Sequence, residues 1–370
     1  MRISNVWNLG IKELRGLSRD TVMLVLIVYA FTLAIYAQAT ELPETLHNAT
    51  IGIVDEDRSP LSARIEGAFY RPYFKKPERI SRGQMDKRMD NGTDTFALDI
   101  PPNFEHDLLA GRSPELQLNV DATRMTQAFS GSGYIQNIVS NEIHDFLRRY
   151  KSAEPPRVRL DTRVLFNPNL KRSWFGAVTA VIDNITMLSI ILTGAALIRE
   201  REHGTVEHLL VMPVSPIEIM LSKTWSMALV VLAASFFALA FVIHGVLAVP
   251  TNGSTSLFML GALLDLFATT SLGIALATTA RSMPQFSLLL ILIMLPLQVL
   301  SGGVTPRESM PEAIQAIMLA APNTHFVALA QAVLFRGAGL AVVWPQLVML
   351  LGIGLLLFSF ALWRFREMLK

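Results

Sequence analysis

Residues 199–223 read REREHGTVEHLLVMPVSPIEIMLSK and separate two long apolar segments, 174–198 and 224–249. Residues 199–210 combine charge with a helical pattern in which Val206, Leu209 and Leu210 give one apolar edge. Pro213 and Pro216 then break the helix before Ile217 starts the next one. The spacing therefore predicts a helix, a break and a second helix between two apolar segments. Physics alone leaves two uses open. The stretch is a rigid lever that seats in a groove on another protein and turns both attached segments, or it is a solvated connector.

Working outward, the neighbouring segments are each long enough to cross a bilayer, and four more resemble them. The spans are expected at 21–39, 174–198, 224–249, 257–280, 284–304 and 342–363. The chain is 370 residues long, 51% hydrophobic and only 17% charged, against about a quarter charged for an ordinary soluble protein. This is the composition of an integral membrane protein. Lys12, Arg15 and Arg19 precede the first span, whereas Glu41 and Glu44 follow it, which places the N-terminus in the cytoplasm. Arg199, Arg201 and Arg281 mark further inner ends, and Arg364, Arg366 and Lys370 place the C-terminus inside as well. The start does not read as a cleavable signal peptide, because its apolar run is too long and lacks a clean cleavage site.

Residues 1–20 predict an amphipathic helix lying at the cytoplasmic face in contact with membrane lipid. Asn8, Lys12, Arg15 and Arg19 form its polar stripe, with Ile3, Val6, Trp7, Leu14 and Leu17 opposite. Residues 40–172 are a different kind of chain, in which charges, prolines and turn pairs return. Strands are expected at 51–54, 96–100, 116–120 and 158–166, and helices at 61–69, 84–89, 104–110 and 125–150. That alternation predicts a mixed α/β domain with a partly parallel sheet, inserted between spans one and two and lying outside the cytoplasm. Residues 305–340, interrupted by Pro306, Pro311 and Pro322, predict a pair of short helices dipping into or lying on the outer face. The fold expected is thus an all-α bundle of six membrane spans with an extracytoplasmic α/β domain.

No catalytic constellation is found. A phosphate-cradling G-x-x-x-x-G-K-[ST] loop is missing, there is no cysteine, and no aromatic-basic patch suggests nucleic acid. His203 and His208 stand five residues apart, so on a helix the two imidazoles would not share a metal ion. Leu300 to Val304, reading LSGGV, is a small-residue helix end, and Asp55-Glu56-Asp57 is a solvated turn. No cofactor is expected. Asp183 and Asp265 each lie about ten residues into a span, where an ionised carboxylate costs at least ~2.5 kcal/mol. Either they line a substrate path, or they bind a neighbouring helix or sit near the outer headgroups.

Residues 200–213, EREHGTVEHLLVMP, resemble the E-R-E-x-G-T-x-E-x-L-x-x-x-P signature of ABC-2 type transport permeases. Residues 100–104 with 108–112, and Phe166-Asn167-Pro168-Asn169, agree with the same family. The resemblance covers nearly the whole chain and is greatest to bacterial inner-membrane permeases grouped with multidrug-type exporters. It implies a type V exporter-like membrane half, driven by cytosolic ABC ATPase subunits and paired with a second permease half as a homodimer or heterodimer. It also implies a periplasmic membrane-fusion adaptor. The ATPase-coupling residues it points to are Glu200, Glu202, His203, Gly204, Thr205, Glu207, Leu210 and Pro213, with residues 1–20 as the connecting helix and 305–340 as re-entrant helices. Two rivals belong to other classes. One is a sensor whose external domain binds a ligand, although the chain has only short inner loops for output. The other is an intramembrane enzyme using Asp183 and Asp265, although neither sits in a known catalytic context.

Overall fold

A computed structural model describes residues 2–40, 48–121, 125–150, 171–202, 204, 213–305 and 307–368. The chain forms two compact units, Met1–Glu41 with Val164–Lys370, and Leu42–Arg163. The first unit opens with α1 (Ile3–Ser18), α2 (Thr21–Phe31) and α3 (Leu33–Thr40). Asp20 ends the turn after α1 and caps α2, its Oδ1 accepting from the Met23 backbone N–H at 3.1 Å. Thr32 (φ −126°, ψ −84°) breaks the first span between α2 and α3. The amphipathic helix expected at the start of the chain is present. Gly10, Glu13 and Leu17 turn inward, whereas Ile3 and Trp7 stay 78% and 58% exposed. The reason is steric and electrostatic: Gly10 lets the backbone come close, and Glu13 finds a buried cation described below.

Among the described residues, the second unit is a four-stranded sheet with helices on both faces. Its elements are β1 (Ile51–Asp55), α4 (Pro60–Gly67), β2 (Glu78–Arg79), α5 (Arg82–Asp90), β3 (Phe96–Ile100), α6 (Phe104–Leu109), β4 (Gln117–Val120) and α7 (Met125–Tyr150). Strand order is β2-β1-β3-β4, parallel except for the β3–β4 pair. Alternation along β1 and β3 divides the core. Ile51, Ile53, Phe96, Leu98 and Ile100 meet α4, α6 and α7, while Val54 and Ala97 meet Ile80 and Met85 on the α5 side. The short strand Glu78–Arg79 was not expected from sequence, and the strand expected at 158–166 lies outside the described residues.

The first unit resumes with α8 (Arg172–Glu202), α9 (Pro216–Phe237, continued as a π-helix to Val246), α10 (Thr255–Thr279) and α11 (Met283–Leu300). After a short 3₁₀ turn come α12 (Glu312–Met318), α13 (Pro322–Ala330, with a π-turn to Phe335) and α14 (Leu340–Met368). Among the described residues, six helices are long and apolar enough to cross a membrane. The segment between the last two is the expected pair of short helices, α12 and α13, bent by 92°. The spans are not equivalent. The second span is 83% buried and sits at the centre, while the fifth and sixth are 17% and 22% buried and lie at the edge. Wide apolar faces on those outer spans need acyl chains or another protein against them.

Candidate functional site

Each of the last four residues of α8 reaches a different helix. Arg199 pairs with Asp20 at the start of α2. Glu200 receives Lys12 of α1 and Lys223 of α9, both at 2.7 Å. Arg201 Nη1 donates to the Ala280 carbonyl at 2.8 Å, just past the end of α10. Glu202 Oε1 accepts from the Met283 backbone N–H at 3.0 Å, at the first residue of α11. Successive helical residues turn by about 100°, so four charges in a row sweep the full circumference and gather the ends of neighbouring helices. Each partner also suits its place: Arg201 meets the negative end of one helix and Glu202 the positive end of another. Directly after this collar, Gly204 takes a left-handed conformation (φ +68°), its N–H returning to the Arg201 carbonyl at 3.1 Å.

Helix α1 is fastened to the same place. Lys223, with only 2% of its side chain exposed, bridges Glu13 at 3.0 Å and Glu200 at 2.7 Å. Glu218 serves two helix starts. It accepts from the Ser215 backbone N–H at 2.8 Å in its own capping box and from the Arg2 backbone N–H at the start of α1. The Trp225 ring lies 4.9 Å from Trp7 in a parallel stack and donates to the Val6 carbonyl at 3.1 Å. A Cβ at Gly10 would stand 2.1 Å from the Trp225 ring. Gly10→Ala is therefore expected to cost about 1–3 kcal/mol and to loosen α1. The check is Trp fluorescence and thermal unfolding, and Trp225→Phe in the same chain should recover part of the loss.

Electrostatics around α1 follow from these pairs. Burial works against the Lys12 ammonium, but the Glu200 and Glu13 carboxylates outweigh it and hold Lys12 above its ordinary value. The Met23 backbone N–H, with Arg199 behind it, holds the Asp20 carboxyl below the usual carboxylate range. A pocket of about 320 Å³ opens beside the charged cluster, with Lys12, Glu13 and Arg199 together with Leu17, Leu192 and Met227 among its walls.

The interior holds a second polar cluster. Asp183 and Asp265 are 5% and 0% exposed, and both belong to one node. Thr186 Oγ1 lies 3.1 Å from Asn323 Oδ1 and 3.4 Å from Asp265 Oδ2. Asn323 lies near the Asp183 carboxyl and donates from Nδ2 to the Leu297 carbonyl at 3.1 Å, one of the orphan acceptors at the end of α11. Below them Ser189 Oγ meets Thr269 Oγ1 at 2.6 Å.

Of the residues singled out in sequence, the structure brings Glu200 and Glu202 into the collar and Asp183 and Asp265 into the interior node. Gly204 and Pro213 are exposed on either side of the intervening loop. His203, Thr205, Glu207 and Leu210 lie outside the described residues. Sequence reading did not single out Lys223, Glu218 or Trp225, although the first two lie within the 199–223 stretch. It also passed over Asn323, although Asn323-Thr324-His325 interrupts an otherwise apolar run.

Comparison with known proteins agrees over the full length. The family described as ABC-2 family transporter protein matches residues 21–363. The inner membrane transport permease YhhJ of Escherichia coli (strain K12) is 59% identical over 365 residues, 99% of this chain and 98% of that protein. Its Shigella flexneri counterpart shows the same values. The probable multidrug ABC transporter permease YbhR of Escherichia coli (strain K12) is 29% identical over 354 residues, 92% of this chain and 93% of that one. The chain belongs to the ABC-2 family of transporter proteins.

Proposed function

We propose that this chain is the membrane permease of an ABC exporter and that residues 199–223 receive force from a separate cytosolic ATPase. The observation that carries this reading is the collar on α8. Arg199, Glu200, Arg201 and Glu202 tie the root of the loop to α1, α2, α9, α10 and α11, so a push on the loop reaches most of the bundle at once. His203, Gly204, Thr205, Glu207, Leu210 and Pro213 would contact the ATPase, with Glu200 and Glu202 transmitting the push.

The protein would lie in a bacterial inner membrane, as the name of its YhhJ relatives suggests. Both termini would face the cytoplasm, and the α/β unit would stand outside, where it would gate the exit or dock a periplasmic membrane-fusion adaptor. The exposed Ile3 and Trp7 of α1 suit contact with membrane lipid. A second permease half, identical or different, would cover part of the apolar face of the outer spans. The cargo would be hydrophobic or drug-like, in keeping with the multidrug naming of the YbhR relatives. Asp183 and Asp265 would join the path when α13 moves and opens the node to water.

The test uses the assembled transporter. Gly204→Pro and Glu207→Arg should each lower cargo-stimulated ATP hydrolysis about tenfold, ~1.4 kcal/mol of coupling, while leaving basal hydrolysis by the ATPase in place. Unchanged assembly and unchanged stimulation in both variants would remove the lever reading. Because the natural chain has no cysteine, single cysteines at positions 204 and 111 also report sidedness directly. They should be labelled from opposite faces of the membrane, and labelling of position 204 from the outer face would overturn the orientation.

A further inference from the structure

We propose that Asp265 is a proton-binding site: in this conformation it carries its proton inside a closed polar node built by α8, α10 and α13. Three observations converge. First, among the described residues no cation pairs with this fully buried side chain. Asp265 is the only ionisable residue of α10, and α8 presents Asp183 to the same node. Helix α11 has no ionisable residue, and α13 has only His325, whose ring bonds the Leu319 carbonyl. On α9, Glu218 and Lys223 are engaged with α1, and His244 of its π continuation meets Thr251. The charges of α14, Arg364, Arg366 and Glu367, all fall near its C-terminal end. A charged Asp265 would thus be buried with nothing to neutralise it.

Second, the donors do not suffice for a carboxylate. Asn323 Nδ2 is turned to the Leu297 carbonyl, so its Oδ1 faces Thr186 as an acceptor. The single Thr186 hydroxyl proton goes to that nearer oxygen at 3.1 Å, leaving Asp265 Oδ2 at 3.4 Å. A hydroxyl serving an ionised carboxylate closes to about 2.5–2.7 Å. Third, Asp265 Oδ1 is buried with no hydrogen-bond partner. A neutral carboxyl resolves the geometry. Its O–H points toward Thr186 Oγ1, and the chain Asp265 to Thr186 to Asn323 to the Leu297 carbonyl then runs donor to acceptor throughout.

The consequence is a linkage between protonation and packing. Asn323 belongs to α13, so withdrawal of α13 removes the end of this chain, admits water to the carboxyl and releases one proton. Re-docking takes one up. This does not depend on the role proposed for residues 199–223.

The experiment is infrared spectroscopy of the full chain in lipid at about pH 8, where exposed carboxyls are ionised. The wild type should show the carbonyl stretch of a protonated acid above the amide envelope, displaced on deuteration. Asp265→Asn should remove the band while keeping the thermal midpoint within about 2 °C, because its amide N–H replaces the carboxyl O–H. Thr186→Val should shift the band upward by removing its acceptor, and Asp183→Asn should retain it. A spectrum without the band, or a band that neither Asp265→Asn nor Thr186→Val changes, overturns the proposal. If Asp265→Asn does not fold, Thr186→Val and Asp265→Glu decide, since both must move the band.

Discussion

Lys223→Ala is expected to destabilise the helical unit by about 3–5 kcal/mol, the usual result of removing one partner from a buried ion cluster. Lys223 holds Glu13 and Glu200, whose side chains are only 10% and 12% exposed. Without it, two carboxylates of like sign remain near one another with Lys12 as their remaining cation, and that side chain is 53% exposed. The loss should appear as a lower unfolding midpoint together with changed emission from the Trp7–Trp225 stack, because α1 no longer has its central anchor. Neutralising the partners tests the cause. Lys223→Met with Glu13→Gln and Glu200→Gln should be closer to the wild type than Lys223→Ala alone, because no buried charge is left unpaired. A single substitution costing less than about 1 kcal/mol would show that solvent reaches the cluster freely.

A comparable loss is expected in the α/β unit from Phe96→Ala, about 3–5 kcal/mol. The Phe96 ring is fully buried, stands edge-on to Phe74 with centroids 6.4 Å apart, and fills the notch that Gly131 leaves on α7. A Cβ at position 131 would come within 2.2 Å of the ring, so the ring packs directly against the α7 backbone. Limited proteolysis of the full chain should show earlier cleavage within residues 48–121, while the spans stay resistant. Unaltered protection would mean that α7 settles onto the sheet and closes the cavity. Because the chain has two units, the two substitutions should act on separate transitions rather than on one shared midpoint.

Much of this architecture is legible from residue order, because bilayer thickness and strand alternation impose periods that a single chain must display. The helices over 61–69, 104–110 and 125–150 and the strand at 96–100 lie within a few residues of their expected places. Errors fall where an element continues past its apolar run. The second span extends through Arg199–Glu202 and the third begins at Pro216, since charges that look like flanks are covered by α1 and by one another. A two-residue strand such as Glu78–Arg79 has no alternation to detect. The candidate site was legible in part. The charged run of 199–202 could be seen, but which helix each side chain meets depends on tertiary placement. Asn323 was missed for the same reason, since its partners Thr186 and Leu297 are 137 and 26 residues away in the chain.

Among the described residues the last side-chain tie of α8 is made by Glu202, and α9 begins its own capping at Ser215. Residues 203–214 are thereby bracketed by two self-sufficient helix ends and can be exchanged as a cassette. Under the function proposed above, swapping that segment for the equivalent one of a paralogue, with both brackets left untouched, should redirect which motor the protein answers to without rebuilding what it carries.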